Sequence, residues 1–335
     1  MTTKKPWVSG FCNTSNPPDS HQRCKGHRLA PSGAIACACV CHTTPPASAT
    51  PATEPTTGAP RLGVYDALDE AAYHSDPTSI SASGMKTLLK SPAHFKHGLT
   101  HPQESAAMSL GTVAHTIILG TGPGYVAIEG NRNRNDVKAA IAAAEAQGKV
   151  VLKPEQLKAA ERMADAVLSH KKAARLLASP GRSEVSVFAR DPMHDVIRRC
   201  RWDRLGNNGI GVDLKTAHNV DPAALPKHII DFGYDLSAAW YLDTSEWAEL
   251  AVDAFALVFV ESAEPHNVVV VELDDEFLER GAALAEKALR RHRECTDSGH
   301  WPGYADDDVL RLAPPRWSDT ADQILLTIPE GTTAA

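Results

Sequence analysis

Apolar positions in the first half of the chain recur three and four residues apart, the spacing of one helix face. Met85, Leu88 and Leu89 predict a short helix capped by Ser81 or Ser83 and ended by Pro92. The run M-S-L-G-T-V-A-H-T-I-I-L-G at 108–120 is apolar with Gly111 and Ala114 small, which predicts a buried helix packed closely on a neighbour. A helix over 138–147 stopped at Gly148 and a short strand at 150–152 follow. Pro154 then opens a helix predicted to reach about residue 178, with a break at Pro180-Gly181.

Beyond residue 180 the period falls to two. Strands are predicted around Val185 and Val187, over 196–202 and over 210–216, joined by turns at Asp191-Pro192 and at G-N-N-G (206–209). They make an antiparallel meander. A helix over 226–242, strands over 255–260 and 268–273, and a strong helix over 275–295 complete the pattern, before an irregular close with an apolar run at 324–328.

The two ends of the chain follow neither period. Residues 1–42 hold Cys12, Cys24, Cys37, Cys39, Cys41 and His42, the last four in the phrase C-A-C-V-C-H. These are soft ligands suited to Zn²⁺, although the spacing is tighter than a standard finger. A disulfide set and a disordered tail are the alternatives, and a chain with no apolar leader is expected to stay in a reducing cytoplasm. Residues 43–60 are a Pro/Thr/Ala linker. The expected division is 1–42, linker 43–60, main domain 61–318 and tail 319–335.

Charge changes this picture in one place. The net charge is -7, which excludes a globally basic nucleic-acid binder. Residues 171–215, however, carry ten Lys/Arg against five Asp/Glu, while 231–335 carry seven against twenty-two. The meander is thus a locally basic stretch in an acidic protein, equally compatible with a DNA-facing groove and a solvated face.

Within that stretch stand Glu184, Asp203, Asp213 and Lys215. Asp213 and Lys215 flank Leu214 on one strand and therefore share a face, opposite Val212 and Leu214. A carboxylate and an amine so placed suit a divalent metal and an attacking water; a bare D-x-K is also an ordinary salt-bridge pair. Pairing of neighbouring strands can bring the three carboxylates to one end of the sheet. His115, alone in an apolar helix, reads as a core histidine.

Five strings occur in order: L-G-T-V-A-H (110–115), E-V-S-V-F (184–188), C-R-W-D-R-L (200–205), V-D-L-K-T-A (212–217) and G-Y-D-L-S-A-A-W-Y (233–241). Together they resemble phage-encoded exonucleases of the RecE/exonuclease VIII type, within the RecB-like PD-(D/E)-x-K nuclease superfamily, over roughly residues 65–318. The resemblance implies an α/β (α+β) restriction-endonuclease-like core, a mixed central sheet flanked by helices. It implies Mg²⁺ or Mn²⁺ held by His115, Asp203, Asp213 and the Leu214 carbonyl, with Glu184 completing the acidic cluster and Lys215 acting on the water or the phosphate. Hard oxygen ligands with one His favour these ions over Zn²⁺. The expected activity is ATP-independent 5′-to-3′ digestion of linear duplex DNA in a bacterial host cytoplasm, leaving 3′ tails for a RecT-type annealing protein, by a phage- or prophage-encoded homo-oligomeric ring with no membrane attachment. No Walker A motif is present. One position departs from the pattern: where the family often has Gln four residues before Tyr241, this chain has Ser237, too short to reach as far toward the site or DNA. A catalytically weak nuclease fold that binds DNA or a partner through the zinc segment is the alternative reading.

Overall fold

The computed structural model describes residues 61–313 except 67, 102–108 and 307–308, with 27–30, 33–36 and 109 described by backbone alone. The expected zinc ligands Cys12, Cys24, Cys37, Cys39, Cys41 and His42, the linker 43–60, the apolar run 324–328 and the tail 319–335 lie outside the described residues.

Strands β1 (His27–Ala30) and β2 (Gly33–Ala36) form an antiparallel hairpin. The main body begins with β3 (Gly63–Tyr65), α1 (Glu70–His74) and β4 (Ser79–Ser81). Helix α2 (Ala82–Lys90) starts where the Ser81 hydroxyl accepts from the Gly84 amide. Pro92, expected only to end that helix, also opens α3 (Pro92–Thr100), because a proline at the first helical position forfeits no intrahelical bond. The apolar run forms α4 (Ser109–Leu119), followed by β5 (Tyr125–Ala127), α5 (Asn135–Glu145) and β6 (Val150–Leu152).

The single helix expected over 154–178 is two, α6 (Pro154–Ser169) and α7 (Lys171–Ala178). His170 between them is extended, and its ring accepts from the Ala173 amide, so the side chain caps the second helix and stops the first. The helix expected over 226–242 is also two, α8 (Leu225–Phe232) and α9 (Tyr234–Trp247), because Gly233 takes the left-handed conformation at φ 61°.

The meander is β7 (Gly181–Arg190), β8 (Ile197–Gly206) and β9 (Ile210–Ala217), each antiparallel to the next. Strands β10 (Ala254–Glu261) and β11 (Val268–Glu272) and helix α10 (Asp275–Ser298) complete the domain. The seven-stranded sheet runs β11-β10-β9-β8-β7-β3, with β4 beside β8. It is mixed: β9 and β10 are parallel, joined by a crossover carrying α8 and α9, and β4 is parallel to β8.

Helices cover both faces. On one, Met85, Leu88, Leu236, Trp240 and Leu289 pack on Trp202, Leu257 and Phe259. On the other, Val113, Met163 and Val167 pack on Val212, Leu214 and Val258. The alternation along β9 thus sends Val212 and Leu214 toward α4 and α6, and Asp213 and Lys215 toward α2 and α9, as the period of two requires.

Candidate metal centre and active site

The site is a fork in the sheet. β8 and β9 pair only at Arg204–Val212 and Leu205–Gly211. One step further, where Asp203 would face Asp213, the ladder stops. The start of β8 is paired instead with β4, from Ser79–Ile197 to Ser81–Arg199. The gap between these two partners would leave the Leu214 amide unpaired, and the Asp203 carboxylate fills it, accepting from that N–H at 2.6 Å. A side chain thereby does the work of a missing backbone partner and is fixed in position by it.

Helix α4 delivers His115 to the same place. Its approach to β9 is close because Gly111 has no side chain; a Cβ there would lie 3.0 Å from the Thr216 hydroxyl oxygen. One turn along, His115 Nε2 lies 2.8 Å from the Leu214 carbonyl oxygen and 3.4 Å from Asp203 Oδ2. From β7 comes Glu184, which stands opposite Asp203 between the registered pairs Ser183–Arg204 and Val185–Trp202. Its backbone sits at φ 54°, uncommon for a residue with a side chain. His115, Glu184 and Asp203 each offer a ligand atom, all within 4.8 Å of one another. The Leu214 carbonyl adds a hard oxygen. One imidazole with carboxylate and carbonyl oxygens is a donor set that fits Mg²⁺ or Mn²⁺. The Leu214 carbonyl can only accept, so His115 Nε2 carries the proton between them.

Asp213 takes a different place. It is buried, and its Oδ1 accepts from Lys215 Nζ at 2.7 Å. It stands outside the three-residue cluster of His115, Glu184 and Asp203, tied to the lysine.

The electrostatics follow from crowding. Burial, with the Asp213 charge beside it, holds the Asp203 carboxyl above its usual range, against the pull of His115 and Lys215. Burial and the Asp203 charge raise Glu184 in the same way. Burial alone would lower the Lys215 ammonium, but the Asp213 and Asp203 carboxylates overcome it and hold the lysine above its ordinary value. Lys215 is therefore a fixed cation, and the Asp203 charge works against ionisation of Glu184 across the fork.

Of the two residues expected to support the site from α9, Ser237 lies beside it: the hydroxyl is bonded to Lys86 Nζ at 3.2 Å and to the Gly233 carbonyl at 3.3 Å. Tyr241 packs edge-on against Trp202, with centroids 5.1 Å apart, and against Phe255. Three neighbours escaped the sequence reading. Arg201 reaches Glu184 at 3.8 Å. Tyr234 has both the Lys215 and the Lys86 ammonium 5.6 Å from its ring centroid. Lys86 itself is half-buried on α2. The signal that could have found Lys86 is the pair of small residues Gly233 and Ser237, one helical turn apart, which leaves room for a long side chain.

A sheet forked at two acids, with D-x-K on the inner strand, is the core of a PD-(D/E)-x-K nuclease fold. Over residues 81–309 the chain matches the PDDEXK-like domain of unknown function, DUF3799, and it belongs to that family. Its fold is similar to that of a candidate exonuclease from Eubacterium rectale, at a TM-score of 0.51 and 13% identity, over 76% of this chain and 98% of that one. A phage-related exonuclease from Haemophilus somnus 129PT is 13% identical over 66% of this chain and 96% of its own, at a TM-score of 0.29. No curated protein matches the chain. Among the described residues no helix is long and apolar enough to cross a membrane.

Proposed function

We propose that this protein is a divalent-metal-dependent, ATP-independent exodeoxyribonuclease of the RecE/exonuclease VIII type. The observation that carries the reading is the convergence of His115, Glu184, Asp203 and the Leu214 carbonyl beside the Asp213–Lys215 pair. Mg²⁺ or Mn²⁺ held there would lower the pKa of a bound water and neutralise phosphate charge. Asp203, anchored by the Leu214 amide, keeps its carboxylate in the fork without moving. Asp213 orients Lys215. Because its pKa is raised, Lys215 stays protonated at neutral pH and serves as a positive charge on the phosphate oxygens rather than as a general base. His115 would need its Nε2 free of a proton to act as a ligand, and its bond to the Leu214 carbonyl would then be given up.

The substrate on this reading is linear duplex DNA, digested 5′-to-3′ to leave 3′ single strands for a RecT-type annealing protein, with a homo-oligomeric ring providing processivity. The domain is taken as 61–318, with the Cys/His segment 1–42 as a separate zinc-binding appendage. The fitting experiment incubates linear and circular duplex DNA with Mg²⁺ or Mn²⁺, comparing wild type with Asp213→Ala and Lys215→Ala. Metal-dependent loss of the linear form by wild type alone is the expected result. Linear DNA left intact by wild type with both metals would refute the reading and leave a DNA- or partner-binding nuclease fold. Cutting of the circle would make it an endonuclease.

A further inference from the structure

The Lys215 ammonium has a carboxylate partner. The other ammonium facing the same Tyr234 ring does not. Lys86 donates to two neutral oxygens, the Phe232 carbonyl and the Ser237 hydroxyl, each at 3.2 Å. Among the described residues it has no salt-bridge partner. Burial and the neighbouring Lys215 push its pKa down to about 8. A half-buried cation with only neutral acceptors in direct contact is costly to keep, because the more distant Asp213 and Asp235 carboxylates offset its desolvation only in part.

The surroundings are nevertheless shaped to hold it there. A Cβ at Gly233 would lie 2.7 Å from Lys86 Cδ, so the lysine stem passes over bare backbone. The left-handed turn between α8 and α9, which only a glycine adopts without strain, exposes the Phe232 carbonyl that receives the ammonium. Ser237 is short enough to admit the amine and polar enough to bond it. Met85 and Leu88, on either side of Lys86 in the sequence, are fully buried and hold α2 against the sheet.

Both ammoniums stand 5.6 Å from the Tyr234 centroid, so they lie no further than two such distances apart, on one side of the candidate site. We propose that Lys86 is a substrate-holding residue of this site, its ammonium taking a non-bridging oxygen of the backbone phosphate beside the one that Lys215 addresses. The inference rests on the nuclease reading of the fork and names what that reading leaves open: how the strand is held in register with the carboxylates. The phosphate supplies the direct ion-pair partner that Lys86 lacks among the described residues.

Binding and cleavage separate this inference from the reading beneath it. A short fluorescent DNA duplex is titrated with the full chain in Ca²⁺ at several salt concentrations, and cleavage is followed in Mg²⁺. For Lys86→Met the expected result is roughly tenfold weaker binding, a rise in KM larger than any fall in kcat, and a loss of about one from the slope of log affinity against log salt. Lys86→Arg is expected to retain the slope. Lys86→Gln, which removes the charge and keeps a polar N–H donor on a shorter stem, is expected to lose it even if the Met variant folds poorly. A wild-type slope in folded Lys86→Gln would overturn the proposal. A wild type that binds but does not cut overturns the nuclease reading instead, while the slope still decides the role of Lys86.

Discussion

Two ion pairs that each hold a buried carboxylate, one at a turn of the sheet and one on β9, are built differently. Asp191 and Arg198 stand at the turn between β7 and β8. Arg198 Nε donates to Asp191 Oδ2 at 2.7 Å, and the same carboxylate accepts from the Met193 and His194 amides through Oδ1. The guanidinium is stacked between Trp240 and Trp247, 4.3 and 4.4 Å from their ring centroids, and both side chains are sealed from solvent, at 5% and 0% exposure. Arg198 also faces the buried Asp243, with Nη1 3.6 Å from Oδ2, so two fixed carboxylates share one guanidinium. The Asp213–Lys215 pair is also close, but its lysine is 27% exposed, and two more carboxyls, Asp203 and Glu184, crowd the space around it with pKa values pushed up. The first arrangement is closed off from solvent. The second sets a part-exposed lysine among carboxyls whose pKa values are raised, which is the mark of a candidate ligand site.

The comparison predicts opposite responses to mutation. Asp213→Ala and Lys215→Ala are expected to lower DNA cleavage on the order of 10²–10³-fold, measured as initial rate on linear duplex. Asp191→Ala takes the closest carboxylate from the buried Arg198, leaving it Asp243 at 3.6 Å, and should cost about 3 kcal/mol of stability. In thermal unfolding that is a midpoint about 10 °C lower, well beyond the shift for Asp213→Ala, where Lys215 keeps solvent and Asp203. Equal shifts would erase the distinction between the two pairs. His115→Ala is expected to weaken Mn²⁺ binding roughly 10–100-fold by calorimetry while leaving the fold intact.

The smallest expected effect has the most telling sign. Asp203 has a folded pKa above its unfolded value, so ionising it favours unfolding: stability is lost as pH rises between the unfolded and the folded pKa. Asp203→Asn should therefore raise the midpoint of the EDTA-treated protein by a few degrees above that window, with the gain shrinking as pH falls toward the ordinary carboxylate pKa of about 3.9, while abolishing cleavage. A lower midpoint for Asn would mean that the carboxylate is structural.

Much of this was legible in the residues. The period of two through 181–217 placed Asp213 and Lys215 on one face, and the structure keeps that face. The mixed sheet with flanking helices matched the architecture that the five strings imply. Helix boundaries were less legible where one residue decides them: His170 caps forward with its ring, and Gly233 turns left-handed, and neither interrupts the apolar spacing. At the candidate site the sequence named residues that the structure brings near one another, but not their partnerships, and Asp213 stands outside the cluster of His115, Glu184 and Asp203. Alternation says which face a strand residue takes, but the fork that frees Leu214 for Asp203 depends on β4 pairing with the far end of β8, from a segment more than a hundred residues away. Lys86 was hidden for the same reason, since what positions it is space left by α9 rather than any feature of its own helix.

The central claim is that the fork holds a metal through His115. Mn²⁺-loaded protein examined by electron spin echo spectroscopy tests it most directly, because a directly bound imidazole imprints nitrogen coupling on the manganese signal. The account predicts nitrogen modulation in wild type that disappears in His115→Gln, with the bound Mn²⁺ retained at higher metal concentration. Manganese bound stoichiometrically with no nitrogen modulation, or with modulation unchanged in His115→Gln, would contradict it.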